Sequence, residues 1–530
     1  MKNFYLDIYS LPSFDYQDEV LKAGHPFSIE EFNAITENLY RDIRDFEKNY
    51  NDDFLSVLKI AEKFLIMNLT SYIQLTQTLK RLDGFSIKSI DKDSYVSLIG
   101  KRAYGATYFY DFMDGKVPFL DYWLRGLYYS KFREFAKTMH TVIFEPKTDV
   151  VVYRRNHYVE NSLKLHKIDY SIVADQFFWK NSQMPDKTDY FVFNNEKLNF
   201  FTNELKFLLF DSSCKKYMFT KDEEKTFADI INRIIYKVYY DYMHCLKHLE
   251  KKKISFKEIH SSTSGFYKTR VVFEVMKKFG IKTYSYMHSG SLTHIDYKFD
   301  PRAFIEYSIA DGFYVFNKND ISKLQKVASK EKIDLDVRVM KSNMHSGLKD
   351  NIEIQKKNSF KKITYISPVF SGYMRYFGCA DDLMSVSFEY NLFKLLQKIG
   401  DYEINIKTHP KGLKRNNDLI TKLYPSVKIL NEGLVSDLVN GDTDIFIMRM
   451  VDSTSFNEIV ASQKPLILIN DGNTELLTEE AQKFLKNRVA VVECYYENGL
   501  AKINDEELQN ALQREYIMDF EFSKRFQYDS

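Results

Sequence analysis

Apolar positions along this chain change their spacing as the sequence proceeds. Residues 1 to about 140 repeat mainly every three or four positions. In "DDFLSVLKIAEKFLIMNLTSYIQLTQTLKRL", Leu55, Leu58, Ile60, Phe64, Leu65 and Leu69 form one broad stripe, which predicts a helix packed on a core. In "DYWLRGLYYSKFREFAKTM" the positions Leu124, Tyr128, Phe132, Phe135 and Met139 share a face. That predicts a second core helix, with a seat on a membrane surface or a glycan as the functional alternative.

From about residue 148 the pattern shortens to β-rich runs separated by helical ones. Candidate strands are 149–155, 169–175, 257–262, 282–288, 312–316 and 336–340, with two long helical patterns in 190–250 and a clear helix at 268–280, where Gly280 suits the C-terminal cap. A polar segment, 346–362, precedes a second series at 363–368, 402–409, 427–431, 444–450, 465–470 and 489–493. Strands alternating with helices pair in parallel through right-handed crossovers. The chain therefore reads as α/β, with a mainly helical segment (1–145) packed on a first Rossmann-like lobe (146–350) and followed by a second (351–530), each a doubly wound parallel sheet. The ligand site of such a pair is expected in the cleft outside the carboxyl ends of the strands.

Composition narrows the partners. A chain of 530 residues is long enough for two or three cores. Its 75 basic and 73 acidic side chains nearly cancel, so there is no global signal for nucleic acid. Four scattered cysteines lack CxxC spacing, which argues against a disulfide framework or a thiolate zinc site. The opening stretch has no secretory apolar core, and no window reaches the length of a membrane span. These features point to the cytoplasm, with a peripheral position on the inner membrane face as the compatible variant.

Four strand exits carry candidate chemistry. "INIKTHPKG" places Lys407, His409 and Pro410 after a strand, suited to phosphate oxygens. "VDSTSFNEIVAS" sets Asp452, Ser453, Thr454 and Ser455 ahead of a helix; Ser455 with Glu458 matches a capping box, so the helix is expected to begin at Ser455 and to aim its amino end and the hydroxyls at an anion. In the first half, "MHSGS" offers His288 as a general base with Ser289 and Gly290 behind it. Ser262, Thr263, Ser264 and Gly265 form another small polar exit, for an acceptor or a phosphate.

GxGxxG, Walker and GxSxG signatures are absent. Asp442–Thr443–Asp444 precedes a strand and reads as a turn, and His244 with His248 reads as a surface pair lacking a third metal ligand, so no metal site is expected.

"KTHP" after one strand and "DSTS…E" after a later one resemble the GT-B glycosyltransferases that use CMP-activated sugars, the sialyl- and Kdo-type transferases, and are also similar to the CDP-glycerol and CDP-ribitol phosphotransferases. The resemblance implies a GT-B-like pair of lobes facing a cleft. His409 and Pro410 take the place of the HP motif, and Ser453 to Ser455 that of the Ser/Thr motif. His288 stands for the His-Gly histidine, although Ser289 separates it from Gly290 here. It further implies an inverting, metal-independent transferase with no bound cofactor. Its co-substrate is a nucleotide sugar, CMP-linked by preference and carrying a nonulosonic acid or Kdo, and its acceptor a glycan or lipid-linked glycan of a cell-surface polysaccharide. A CDP-polyol phosphotransferase or a UDP- or GDP-sugar transferase is the nearest alternative. An epimerase or a non-catalytic glycan-binding protein ranks behind these.

Overall fold

The computed structural model describes residues 2–5, 27, 29–81, 85–88, 146, 148–179, 195–211, 217–287, 293–296, 300–340, 356–357, 359–368, 382–409, 419–451, 453–462, 464–471, 476–497 and 500–526. Two long helices come first, α1 (Ile29–Glu47) and α2 (Asp53–Arg81). The helix expected at 121–139 lies outside the described residues. Within the segment read as mainly helical there is also a short parallel strand pair, Lys2–Tyr5 with Phe85–Lys88, which residues so far apart in sequence do not announce.

The first sheet contains β1 (Val150–Arg154), β2 (Tyr170–Ile172), β3 (Glu258–Ser261), β4 (Lys282–Tyr286), β5 (Gly312–Val315) and β6 (Asp336–Val339). Its order is β2-β1-β3-β4-β5-β6, and every neighbouring pair is parallel. The connections include α3 (His157–Leu165), α4 (Glu196–Leu209), α5 (Lys221–Leu249), α6 (Tyr267–Lys278) and α7 (Lys318–Lys330). Thr220 caps α5 with a full capping box, and Gly280, at φ +73°, closes α6 in the left-handed conformation that glycine adopts without strain. One face of the sheet, with Val151, Tyr153 and Ile259, shares a single apolar core with α1, α2, α4, α5 and α6. Arg270 of α6 fixes α2 to this lobe. Its buried guanidinium donates to the carbonyls of Lys59, Ile60 (3.1 Å), Phe304 (3.1 Å) and Ile305 (3.0 Å), with the Glu62 carboxylate 3.7 Å away.

The second sheet contains β7 (Lys362–Ile366), β8 (Glu403–Lys407), β9 (Lys428–Leu430), β10 (Ile445–Met448), β11 (Leu466–Asn470), β12 (Val489–Glu497) and β13 (Leu500–Ile503). Its order is β9-β8-β7-β10-β11-β12-β13, parallel except for the last pair, and its connections include α8 (Asp382–Ile399) and α11 (Glu479–Leu485). Ile445 and Ile447 enter one core while Phe446 and Met448 enter the other, so alternate residues of a continuous apolar run are buried on opposite faces. The expected architecture is the one observed: two doubly wound parallel-sheet α/β lobes and a helical N-terminal segment. All twelve strands expected from the sequence are present, in two separate sheets.

The lobes also meet outside the polar segment that separates them in sequence. Ile295–Asp296, from the connection after β4, pairs antiparallel with Leu476–Leu477, and Ile295 lies in the second lobe's core with Phe446 and Phe456. The last helix, α12 (Glu521–Phe526), returns toward the first lobe, where Asn317 donates to the Phe526 carbonyl at 2.8 Å. Among the described residues no helix is long and apolar enough to cross a membrane.

Candidate functional site

The strand order of the second sheet reverses between β7 and β10, and a crevice forms beyond the carboxyl ends of strands at such a point. β10 runs through Arg449 to Val451 and into α10 (Thr454–Ala461). The N-cap is Ser453, whose hydroxyl accepts the Phe456 N–H at 3.1 Å. This corrects the expected capping box. Ser455 lies inside the first turn, and Glu458 turns away to the backbone N–H of Ser436 at the start of α9 (Val435–Val439). Burial and the nearby Asp437 raise the Glu458 pKa, while the Ser436 N–H opposes the rise. The amino end of α10, with the hydroxyls of Thr454 and Ser455, therefore stands at the carboxyl edge of the sheet with the positive end of the helix dipole.

On the other side of β7, β8 ends at Lys407 and is followed by Thr408 and an exposed His409. Two strand spacings, roughly 10 Å, separate the carboxyl end of β8 from that of β10, a span suited to a phosphate and its ribose. Lys407 does not face that gap. Its ammonium donates to the carbonyls of Thr408 (3.0 Å) and Leu430 (3.4 Å), tying β8 to β9, and burial lowers its pKa. The sequence-predicted Pro410 and Asp452 lie outside the described residues.

Arg449 is the residue that sequence reasoning missed. It sits at the carboxyl end of β10, buried, with Asp471 at 3.2 Å, the Tyr496 hydroxyl at 2.9 Å and the Ser385 hydroxyl at 3.0 Å, above the Phe388 ring. Its Nε has no hydrogen-bond partner among the described residues. An arginine inside "DIFIMRM", otherwise an apolar strand, was the available signal.

In the first lobe, β3 leads into the small polar turn. The Thr263 hydroxyl donates to the Glu306 carboxylate (2.7 Å) and accepts from Gly265 N–H (2.9 Å), while the Ser264 hydroxyl donates to the Glu306 carbonyl (2.7 Å). Thr263, Ser264 and Gly265 are buried and build the turn, which leaves Ser262 as its half-exposed hydroxyl. Lys63 of α2 donates to the Gly265 carbonyl at 2.8 Å, and burial, reinforced by Arg270, lowers its ammonium pKa to about 7. His288, Ser289 and Gly290 lie outside the described residues; the chain leaves β4 through Met287, whose N–H donates to the Tyr314 carbonyl.

Segments that follow the carboxyl ends of both sheets meet each other. The ring of His294 is fully buried, its Nε2 lies 3.1 Å from the Val451 carbonyl, and it stacks on Phe456 of α10. Tyr158, in the first turn of α3, has its pKa pushed up to about 12 by burial and by the Glu458 carboxylate of the opposite lobe. The sequence-predicted groups thus fall on two facing edges. Ser453, Thr454, Ser455 and His409 border the second lobe's crevice, Glu458 lies at the seam, and Ser262 is on the first lobe.

No protein-family model matches the sequence, and no curated protein is significantly similar to it. Solved structures overlap it loosely. UDP-GlcNAc 2-epimerase of Methanocaldococcus jannaschii, in complex with UDP-GlcNAc and UDP, is 14% identical over 68% of this chain and 91% of its own, with a TM-score of 0.34. Medicago truncatula UGT71G1, complexed with UDP-glucose, is 9% identical over 72% and 92%, TM-score 0.35. Arabidopsis thaliana UGT89C1, complexed with UDP-L-rhamnose, is 10% identical over 72% and 85%, TM-score 0.33. The architecture rests on the strand order and cores described above and not on these overlaps.

Proposed function

We propose that this chain is a nucleotide-sugar-dependent glycosyltransferase of GT-B-like architecture that binds its donor in the second lobe and its acceptor in the first. The observation that carries the reading is the pairing of the Ser453-capped amino end of α10 with the His409 exit on either side of β7, at the reversal of the strand order. Helix amides, hydroxyls and an imidazole there stabilise negative charge as the nucleotide departs, without requiring a metal. The HP and Ser/Thr resemblance favours a CMP-linked sugar, with a nonulosonic acid or Kdo as the transferred group and a surface glycan as acceptor.

In the proposed reaction an acceptor hydroxyl attacks the anomeric carbon as the bond to the donor phosphate breaks. The acceptor proton passes to a base, for which His288 is the candidate, and the configuration inverts. Alanine at His409 and at His288 should fail differently. His409→Ala loses a charge-assisted hydrogen bond, on the order of 1.5–3 kcal/mol, so CMP affinity by calorimetry falls roughly tenfold or more. His288→Ala keeps CMP affinity and loses about 10²–10⁴-fold in turnover. Wild-type transfer by His288→Ala would remove His288 as the base. Unchanged CMP binding by His409→Ala would remove His409 from the donor site.

A further inference from the structure

α5 is a 29-residue helix with one side built into the first lobe's core. Tyr240, His244, Lys247 and His248 recur on it at steps of three and four that fall on a single helical face, and Lys251 and Lys252 follow in the turn just beyond its end. That face borders a groove of about 390 Å³ lined by His244, Lys247, His248, Lys251 and Lys252. Every lining side chain is a base. Lys252 is fixed by donating to the Phe177 carbonyl at 2.8 Å with its ammonium 4.6 Å from the Phe177 ring centre, and the Tyr240 ring stacks on His244. Lys247 and Lys251 are exposed at the rim.

Cations in the last turn of a helix complement its dipole, which explains one or two of these residues but not five around one concavity. A metal is a poor occupant, because three ammonium groups repel it and no third ligand joins the two histidines among the described residues. We propose that this groove is a binding site for a phosphate-bearing anion, whose oxygens accept hydrogen bonds from Lys247, Lys251 and the imidazoles of His244 and His248. α5 leads into the amino end of β3, so the groove lies at the sheet edge opposite the carboxyl ends that form the cleft. The anion is therefore a second ligand, and the inference stands independently of the donor assignment.

Two sources share this chemistry, a soluble phosphate ester and the headgroup of an anionic lipid. The test compares full-length wild type, the rim variant Lys247→Gln/Lys251→Gln and the cleft variant His409→Ala. Each is titrated with pyrophosphate at low salt, and each is sedimented with phosphatidylcholine vesicles with and without phosphatidylglycerol. Because both rim positions are exposed, the rim variant should melt with the wild type. A soluble source predicts pyrophosphate binding that weakens about tenfold or more in the rim variant, persists in His409→Ala and fades with added salt. A lipid source predicts that anionic vesicles carry down the wild type and His409→Ala but not the rim variant. Indistinguishable behaviour of wild type and rim variant toward both probes would overturn the proposal. Loss of nucleotide binding alone would leave it standing.

Discussion

His294 joins the lobes in a form that acid should undo. Its imidazole is fully buried against Phe456, Phe522 and Phe526, with Nε2 3.1 Å from the Val451 carbonyl. Burial lowers its pKa to about 3; the Val451 carbonyl opposes the drop, and Lys323 and Arg302 add to it. A histidine with a depressed folded pKa contributes stability that is present above its unfolded value, near 6.5, and is lost as pH falls toward the folded one. Between pH 7.5 and 5.0 the linkage loss is about 2 kcal/mol. That figure depends almost wholly on the unfolded pKa, because at pH 5.0 any folded value below about 4 gives nearly the same result. The perturbation is His294→Phe, which keeps an aromatic ring and removes the proton. It leaves the Val451 carbonyl without this donor, at a cost of about 1–3 kcal/mol at every pH.

A chain with two lobes need not unfold in one step, so the fitting assay is hydrogen exchange of the α10 segment, corrected for the intrinsic rate. Wild-type protection there should fall by up to roughly 30-fold from pH 7.5 to 5.0. His294→Phe should begin lower and change far less. Glu458 on the same helix has a raised pKa and works in the opposite direction, but it is present in both proteins and cancels in the comparison. An equal acid-induced fall in the two proteins would refute the reasoning.

Arg270→Met should destabilise the chain by about 3–5 kcal/mol, because it removes one of the cations that face the buried Glu62 carboxyl, leaving Arg44 and Lys59, and leaves four carbonyls short of a donor. Thermal melting reads this, and a loss below about 1 kcal/mol would mean that α2 is held by apolar packing alone. Gly312→Ala should cost about 1–3 kcal/mol, since a Cβ there would lie 2.3 Å from the Tyr284 ring, which is stacked on His260 and held by Arg338; an unchanged melting temperature would show that the ring can move aside.

Strand positions were legible because buried parallel strands are short continuous apolar runs bounded by turn residues, as in "ITYISP" and "PLILIN". The Asp442–Asp444 turn was legible too: Asp444 accepts the N–H groups of Lys361 and Lys362, and Asp442 pairs with Lys362. What local pattern left hidden depends on distant neighbours. Ser453 and Ser455 compete for one cap, and the capping-box rule favours Ser455 only while Glu458 is free to turn back; its partner, Ser436, lies on another helix. Lys407 looks like a phosphate ligand until the carbonyl of the next residue, Thr408, and that of Leu430 on the adjoining strand claim its ammonium. The hydroxyls of Thr263 and Ser264 are taken up by Glu306, more than forty residues on. His294 and Arg449 acquire meaning only once the lobes meet and the second sheet's order is known.

The most direct test of the central claim is a thermal-shift panel of CMP, CDP, UDP and GDP without added divalent metal, run on wild type and His409→Ala. A ligand that binds only the folded protein stabilises it by about 2.7 kcal/mol at a hundred times its Kd, which for a lobe of this size is roughly 5–10 °C. The largest shift is expected with CMP in the wild type, and a clearly smaller one in His409→Ala. A larger shift with UDP would overturn the cytidine assignment, and the absence of a shift with all four nucleotides would contradict a donor site in the second lobe.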